Sequence, residues 1–152
     1  MRSSLGGGRR PQAVMFGAGN VGRGFLGQLF AESGYRVVFV DIDERLVGAL
    51  ADEEQYTLRL VDNEGQRDLR IGPVTAVLAS DTDEVANAIL QASIAATAVG
   101  ARALEHIAPT LAAGIVRRQE RGVEEPLNII VCENLKRAAS ILRGMVAKHL
   151  SE

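Results

Sequence analysis

The chain has 152 residues, of which 47% are hydrophobic and 24% charged, and its net charge is −2 at pH 7. These values fit one soluble globular domain with a sizeable core. They give no basic surface that would favour nucleic acid, and no apolar run approaches the roughly 18 residues of a membrane span. A single cysteine, Cys132, excludes an internal disulfide and fits the reducing cytoplasm.

Residues 1–11 are rich in Gly, Ser and Arg and contain no apolar core of a secretory signal. We therefore expect a disordered tail there and one folded domain over residues 12–152.

The first predicted element is a short buried strand, Ala13–Phe16. Gly17, Gly19 and Gly22 follow it at the G-x-G-x-x-G spacing. In a dinucleotide-binding turn the first glycine allows the tight turn, the second lets a pyrophosphate approach the backbone, and the third lets the helix pack closely. The alternative is an ordinary glycine-rich loop. The motif indicates dinucleotide binding only where a strand precedes it and a helix follows it.

A helix is predicted directly after these glycines. Val21, Phe25 and Leu29 recur every four residues, with Leu26 and Phe30 beside them, which is typical of a helical apolar stripe. The free N–H groups and the positive dipole end of this helix would face the phosphates.

The second predicted strand, Arg36–Asp41, ends in an acid nineteen residues after Gly22. A ribose-binding Asp or Glu is expected about 20 residues beyond the glycines, and its carboxylate would repel a 2′-phosphate, which favours NAD over NADP. Asp41–Glu44 also fits a capping box for the next helix. We favour the ribose role, although Arg45 could instead receive a 2′-phosphate.

A helix at about 44–53 is followed by a predicted hairpin of Tyr56–Val61 and Gln66–Ile71, and then by the strand Val74–Leu78. This stretch interrupts the alternation of strands and helices, and we expect it to decorate one edge of the sheet.

The second half returns to that alternation. Asp81–Glu84 begins a helix, Ser93–Gly100 forms a strand, and a helical stretch covers about 103–120, with Pro109 breaking or restarting it. Leu127–Cys132 is the last strand, and a final helix runs to about Leu150. The charged residues 117–121 are expected to be a solvated helix end.

Alternating elements predict an α/β fold, a Rossmann-type, doubly wound, mainly parallel sheet with helices on both faces. Ligands bind outside the carboxyl ends of the strands in such sheets. Five features are predicted to meet there: Gly17–Gly24, Asp41, Ser80, Thr97–Gly100 and the pair Glu133–Asn134. Thr97–Gly100 fits simple packing as well as close approach of a cofactor.

The pair after the last strand has two interpretations. Asn134 is a good helix N-cap, and spacing alone favours that role. Alternatively, Glu133 could relay protons while Asn134 donates a hydrogen bond to a reacting oxygen. We expect Cys132 to be a packing residue. His106 and His149 lack ligand spacing, so no metal site is predicted. His106 could approach the substrate side of a site, but we expect it to be solvated or packed.

Four stretches of the sequence resemble the mannitol-1-phosphate 5-dehydrogenases, a branch of the polyol-specific long-chain dehydrogenases. They are Phe16–Gly27, Thr97–Gly100, Ile107–Pro109 and Pro126–Asn134, whose order and separations agree over nearly the whole chain from Gln12. The resemblance implies metal-free, NAD-dependent interconversion of D-mannitol 1-phosphate and D-fructose 6-phosphate, with hydride transfer at C5. Another polyol or hexuronate dehydrogenase, or a free-standing NAD-binding redox-sensing module, is the alternative.

The resemblance also assigns residues. Family members are longer, and their C-terminal domain supplies the catalytic lysine and the contacts to the sugar phosphate. Neither Lys136 nor Lys148 matches that position, so we expect this chain alone to be inactive. Glu133 and Asn134 match family positions near the nicotinamide and the reacting oxygen, in supporting catalytic roles. The positions expected to bind the cofactor NAD are Ala13, Val14, Met15, Phe16, Gly17, Ala18, Gly19, Asn20, Val21, Gly22, Arg23, Gly24, Asp41, Thr97, Ala98, Val99 and Gly100.

Overall fold

The computed structural model describes residues 8–150 of the chain. Most of the predicted tail, residues 1–7, lies outside the described residues, as do residues 151–152. Residues 8–11 form neither helix nor strand, and the carbonyl of Pro11 accepts a hydrogen bond from the N–H of Arg36 at 2.9 Å.

Seven strands and five α-helices make up the described part of the chain. The strands are β1 (Gln12–Phe16), β2 (Arg36–Asp41), β3 (Tyr56–Asp62), β4 (Gly65–Ile71), β5 (Val74–Leu78), β6 (Ala92–Thr97) and β7 (Asn128–Val131). The helices are α1 (Gly27–Glu32), α2 (Glu44–Glu53), α3 (Thr82–Leu90), α4 (Leu104–Glu120) and α5 (Ala138–Ala147). A π-helical turn, Gly22–Leu26, leads into α1, and a short 3₁₀ turn, Ala101–Ala103, leads into α4.

Five strands form one parallel sheet in the order β5-β2-β1-β6-β7. Side chains alternate across a strand, so β1 serves two cores. Val14 and Phe16 pack on one face with residues of α3, α4 and α5, while Ala13 and Met15 pack on the other with residues of α1 and α2. This arrangement is the predicted Rossmann-type α/β fold, which the structure confirms.

The predicted hairpin is present but does not extend the sheet. β3 and β4 pair only with each other, as a separate antiparallel sheet, and β5 is the edge strand of the parallel sheet. Tyr56, Leu58, Leu69 and Ile71 join the core beneath α1 and α2. The hairpin is therefore a cover over one face of the sheet, and not an addition to its edge.

The first helix buries a different stripe from the one that the four-residue recurrence emphasised. Val21, Phe25 and Leu29 are 50%, 59% and 43% exposed, whereas Leu26 and Phe30 are each only 7% exposed. Two parallel apolar stripes compete in this segment, and periodicity alone cannot choose between them. Gly22 decides between them, because without a side chain it packs directly against the backbone of Gly17 and near Met15 of β1. The side of the helix that carries Gly22 therefore faces the strand.

Helix α4 corrects two predictions. It continues unbroken through Pro109, which lies on the exposed face, where the carbonyl that loses its N–H partner can be solvated. Arg118 is only 7% exposed, so the end of this helix is not simply solvated. Its guanidinium donates to the carbonyls of Ile89, Leu90, Ala92 and Glu125 at 2.7–3.2 Å, which ties α4 to the end of α3 and the start of β6.

Within residues 8–150, no helix combines the length and the apolar character that crossing a membrane requires.

Candidate functional site

A cleft of about 610 Å³ opens at the carboxyl end of the parallel sheet. It is lined by the ends of β1, β2, β5 and β6 and by one face of the segment leading into and through α4. The lining residues are Phe16, Gly17, Gly19, Val40, Asp41, Ile42, Ala79, Ser80, Ala98, Val99, Ala103, His106, Ile107 and Thr110.

The glycine-rich turn, residues Gly17–Gly24, borders the cleft through Gly17 and Gly19. Gly17 has a φ of +100°, and a Cβ there would lie 2.3 Å from the carbonyl oxygen of Ala98. A Cβ on Gly22 would lie 2.0 Å from the carbonyl oxygen of Gly17. A Cβ on Gly19, in contrast, would meet nothing within 4 Å. Two glycines therefore permit packing inside the protein, while Gly19 leaves open space, which fits close approach of a pyrophosphate.

Asp41 lies at the end of β2, beside this turn. One carboxylate oxygen accepts the N–H of Ala18 at 2.8 Å, and the other accepts the N–H of Asp43 at 3.0 Å. A carboxylate offers about four acceptor positions. Asp41 therefore fastens the turn to β2 and keeps acceptor capacity for hydroxyl groups in the cleft.

The capping interpretation of Asp41 is wrong, because the cap of α2 is Asp43. The side chain of Asp43 accepts the N–H groups of Arg45 and Leu46 at 3.0 and 3.1 Å. Arg45 is exposed on the first turn of α2 and does not line the cleft.

Glu133 holds the segment that follows β6. Its carboxylate accepts the buried hydroxyl of Thr97 at 2.9 Å, the N–H of Val99 at 3.2 Å and the N–H of Gly100 at 3.0 Å. Gly100 has a φ of +91°, a left-handed conformation that favours glycine. With three hydrogen bonds accepted, Glu133 is arranged as an anchor for Thr97–Gly100, which places Ala98 and Val99 at the cleft wall.

Asn134 is exposed and lies four residues before α5. The residue at the N-cap position of α5 is Arg137, in a left-handed conformation and with no side-chain cap. The capping interpretation of Asn134 is therefore wrong. Cys132 is half-buried, and burial together with the charge of Glu133 raises the pKa of its thiol.

The predicted site residues divide into three groups. Phe16, Gly17, Gly19, Asp41, Ala98 and Val99 line the cleft, as does Ser80. Ala13, Val14 and Met15 are fully buried within β1 and do not line it. The remaining positions lie outside the lining: Ala18, Asn20, Val21, Gly22, Arg23, Gly24, Thr97, Gly100, Glu133 and Asn134.

Sequence reasoning missed the helical wall of the cleft. Ala103, His106, Ile107 and Thr110 face it, at the i, i+3, i+4, i+7 spacing of one helix face. That spacing alone could have indicated that these four residues share one face of a helix. His106 is largely exposed, with its imidazole 3.7 Å from the Glu105 carboxylate, so the expectation of a solvated histidine is met at the mouth of the cleft. Ile42, 85% exposed, also lines the cleft.

Comparison with known proteins agrees with this geometry. Residues 11–152 match the mannitol dehydrogenase Rossmann domain family. The chain is 45% identical over 141 residues to mannitol-1-phosphate 5-dehydrogenase of Bacillus velezensis, a match that covers 92% of this chain and 37% of that protein. The chain thus spans well under half the length of this relative.

A solved structure shares the fold. Glycerol-3-phosphate dehydrogenase of Coxiella burnetii superposes with a TM-score of 0.57 at 15% identity, covering 94% of this chain and 38% of that one. A Rossmann domain of a dehydrogenase implies a nicotinamide dinucleotide as cofactor. From the match over residues 11–152, the chain belongs to the mannitol dehydrogenase family, of which it carries the Rossmann domain.

Proposed function

We propose that this chain is the NAD-binding domain of a dehydrogenase that interconverts D-mannitol 1-phosphate and D-fructose 6-phosphate. The observation that carries the choice of NAD is the carboxylate of Asp41, which lies in the cleft wall at the end of β2. It offers acceptors to the two ribose hydroxyls of NAD, and its negative charge opposes the 2′-phosphate of NADP.

The glycine-rich turn supports the same proposal. The open space at Gly19 admits a pyrophosphate, and the helical segment that begins at Gly22 would present its N-terminal N–H groups to the phosphates. Ile42 and the helical wall of Ile107 and Thr110 would then border the adenosine, and Ala98 and Val99 would border the middle of the cofactor. When bound, the cofactor supplies the hydride acceptor and donor.

The proposal of a sugar phosphate as substrate is based on the mannitol-1-phosphate 5-dehydrogenase of Bacillus velezensis, to which this chain is 45% identical. Asn134, exposed beyond β7, is the residue that we propose to contact the reacting oxygen. Glu133 acts by holding Thr97–Gly100 in place. We propose that the catalytic base and the phosphate contacts come from a further domain, so that this chain binds NAD without turnover.

The cofactor proposal is tested by fluorescence titration of the chain with NADH and NADPH. We expect saturable binding of NADH and weaker binding of NADPH. Asp41→Asn should weaken NADH binding by roughly tenfold, because a charged acceptor is lost. It should also narrow the preference for NADH over NADPH. Asp43→Asn removes the same charge outside the cleft and should change neither affinity. Equal binding of the two cofactors, or none, would contradict the proposal.

The substrate proposal needs a second assay. NADH formation from NAD and mannitol 1-phosphate should be absent with this chain and present when the domain is part of the full-length enzyme. Oxidation of free mannitol in preference to its phosphate by that enzyme would overturn the proposed substrate.

A further inference from the structure

Tyr56 connects the hairpin to the glycine-rich turn. It begins β3, outside the parallel sheet, and its hydroxyl donates a hydrogen bond to the main-chain carbonyl of Arg23 in the π-helical turn. Its ring meets the ring of Phe39 edge to face, with centroids 5.9 Å apart at an interplanar angle of 69°. The side chain is thus fixed by both an apolar and a polar contact.

The approach of this hydroxyl depends on Gly27. A Cβ at Gly27 would lie 2.6 Å from the Tyr56 hydroxyl, 2.8 Å from the carbonyl of Gly22 and 2.8 Å from the Phe39 ring. No larger residue fits between the hairpin and the helix without a shift. The N–H of Gly27 also closes the π-helical turn by bonding to the carbonyl of Gly22.

A line of hydrogen bonds runs from Tyr56 to the proposed ribose acceptor. Tyr56 holds the carbonyl of Arg23, and the Arg23 side chain returns to donate to the carbonyl of Ala18. The N–H of Ala18 then donates to Asp41 at 2.8 Å. The glycine-rich turn is therefore joined at Arg23 to the hairpin and at Ala18 to β2.

We propose that Tyr56 is a positioning residue for the cofactor: through Arg23 and Ala18 it holds the glycine-rich turn and Asp41 in the geometry that binds a dinucleotide. The hairpin is then a brace for the cofactor site. Burial raises the pKa of the Tyr56 hydroxyl above its ordinary value, so the group stays a hydrogen-bond donor. The inference rests on the proposed function, since it assumes that the cleft binds a dinucleotide.

Tyr35 provides a matched control. Its ring meets Phe30 at the same 5.9 Å and 69°. Among residues 8–150 its hydroxyl has no hydrogen-bond partner, so Tyr35→Phe removes an equivalent group with no link to the turn.

The experiment measures NADH affinity and amide hydrogen exchange of the cofactor-free chain for Tyr56→Phe and Tyr35→Phe. We expect Tyr56→Phe to raise the Kd for NADH by about three- to tenfold, the range that loss of one hydrogen bond gives. Exchange should accelerate at residues 18–26 and stay unchanged in β7 and α5. Tyr35→Phe should leave the Kd within about twofold and the turn unchanged.

Arg23→Met supplies a second, independent variant, because it breaks the link to Ala18 while the main-chain carbonyl that Tyr56 binds remains. In that background Tyr56→Phe should have a smaller effect than alone, as coupled groups do. Additive effects of the two substitutions on the Kd for NADH would overturn the inference. It would also be overturned if the exchange rates at residues 18–26 in Tyr56→Phe equalled those in Tyr35→Phe, or if exchange rose uniformly over the whole chain. If the unaltered chain fails to bind NADH, the proposed function fails, and the exchange data still decide whether Tyr56 holds the turn.

Discussion

The buried hydroxyl of Thr97, at the end of β6, donates a hydrogen bond to the carboxylate of Glu133, beyond the end of β7, at 2.9 Å. Two adjacent strands are thereby joined at the edge of the sheet where the cleft opens. The same carboxylate fixes the N–H groups of Val99 and Gly100. An acid expected to be near the chemistry is thus placed to hold the segment that forms one wall of the cleft.

Glu133→Gln tests this anchoring role. The amide keeps one acceptor but turns an NH₂ group towards backbone donors, so we expect Thr97–Gly100 to loosen and NADH affinity to fall by roughly tenfold. Fluorescence titration measures the loss. Glu120→Gln, on the exposed end of α4, is the control. Unchanged affinity for Glu133→Gln would show that the anchor is dispensable for binding.

Gly19→Ala and Gly22→Ala should separate binding from folding. A Cβ on Gly19 meets no protein atom within 4 Å, so this variant should fold normally and bind NADH at least about tenfold more weakly. A Cβ on Gly22 would lie 2.0 Å from the carbonyl of Gly17, and overpacking of this kind costs about 3 kcal/mol. Urea unfolding and NADH titration of both variants check the contrast, and a stable Gly22→Ala variant would contradict it.

Arg118→Met should strongly reduce stability. The guanidinium satisfies the carbonyls of Ile89, Leu90, Ala92 and Glu125, and its removal leaves these oxygens without that donor in a largely buried region. We expect the free energy of unfolding to fall by about 3 kcal/mol or more. Urea denaturation provides the value, with Arg121→Met, at an exposed position, as the reference. Equal stability of the two variants would refute the structural role.

The thiol of Cys132 should react slowly. Burial, and then the negative charge of Glu133, raise its pKa, so at a given pH a smaller fraction is the reactive thiolate than in a free cysteine. Iodoacetamide labelling of the folded chain should therefore lag behind that of a cysteine peptide, and the rate should rise with pH. Glu133→Gln removes the charge and should speed the reaction. Labelling as fast as the peptide would disprove the assignment.

Local pattern was sufficient for most of the architecture. The strand bounds of β1, β2 and β5 agree with prediction to within a residue, because each is a short apolar run that ends at a turn or an acid. The pairing of β3 with β4 in a hairpin also agrees with prediction, but the expected position of the hairpin at the edge of the sheet is wrong. A hairpin added to the edge of the parallel sheet and a hairpin that forms its own sheet show the same alternating sequence pattern. Only the packing of the hairpin against α1 distinguishes the two arrangements.

The polar residues of the site were harder to interpret. Asp41 and Asp43 are equally plausible helix caps in a sequence, and Glu133 and Asn134 equally plausible polar residues after a strand. Backbone direction decides which carboxylate reaches which N–H group, and that direction depends on distant strands. The burial of Arg118 was likewise hidden, since its four acceptors come from α3, β6 and the loop before β7.

The sequence by itself determined the α/β alternation, the glycine spacing and the acid at the end of β2, because these depend on periodicity and on residues close together in the chain. Tertiary structure alone decided which apolar stripe of the first helix is buried and that α4 supplies a wall of the cleft. It also decided that Tyr56 bonds to the carbonyl of Arg23 and that Glu133 bonds to the segment Thr97–Gly100. The physical reason is that the hydrogen bonds of Tyr56 and Glu133 join residues 33 to 36 positions apart, whose separation in space is set only when the sheet and its covering helices pack together.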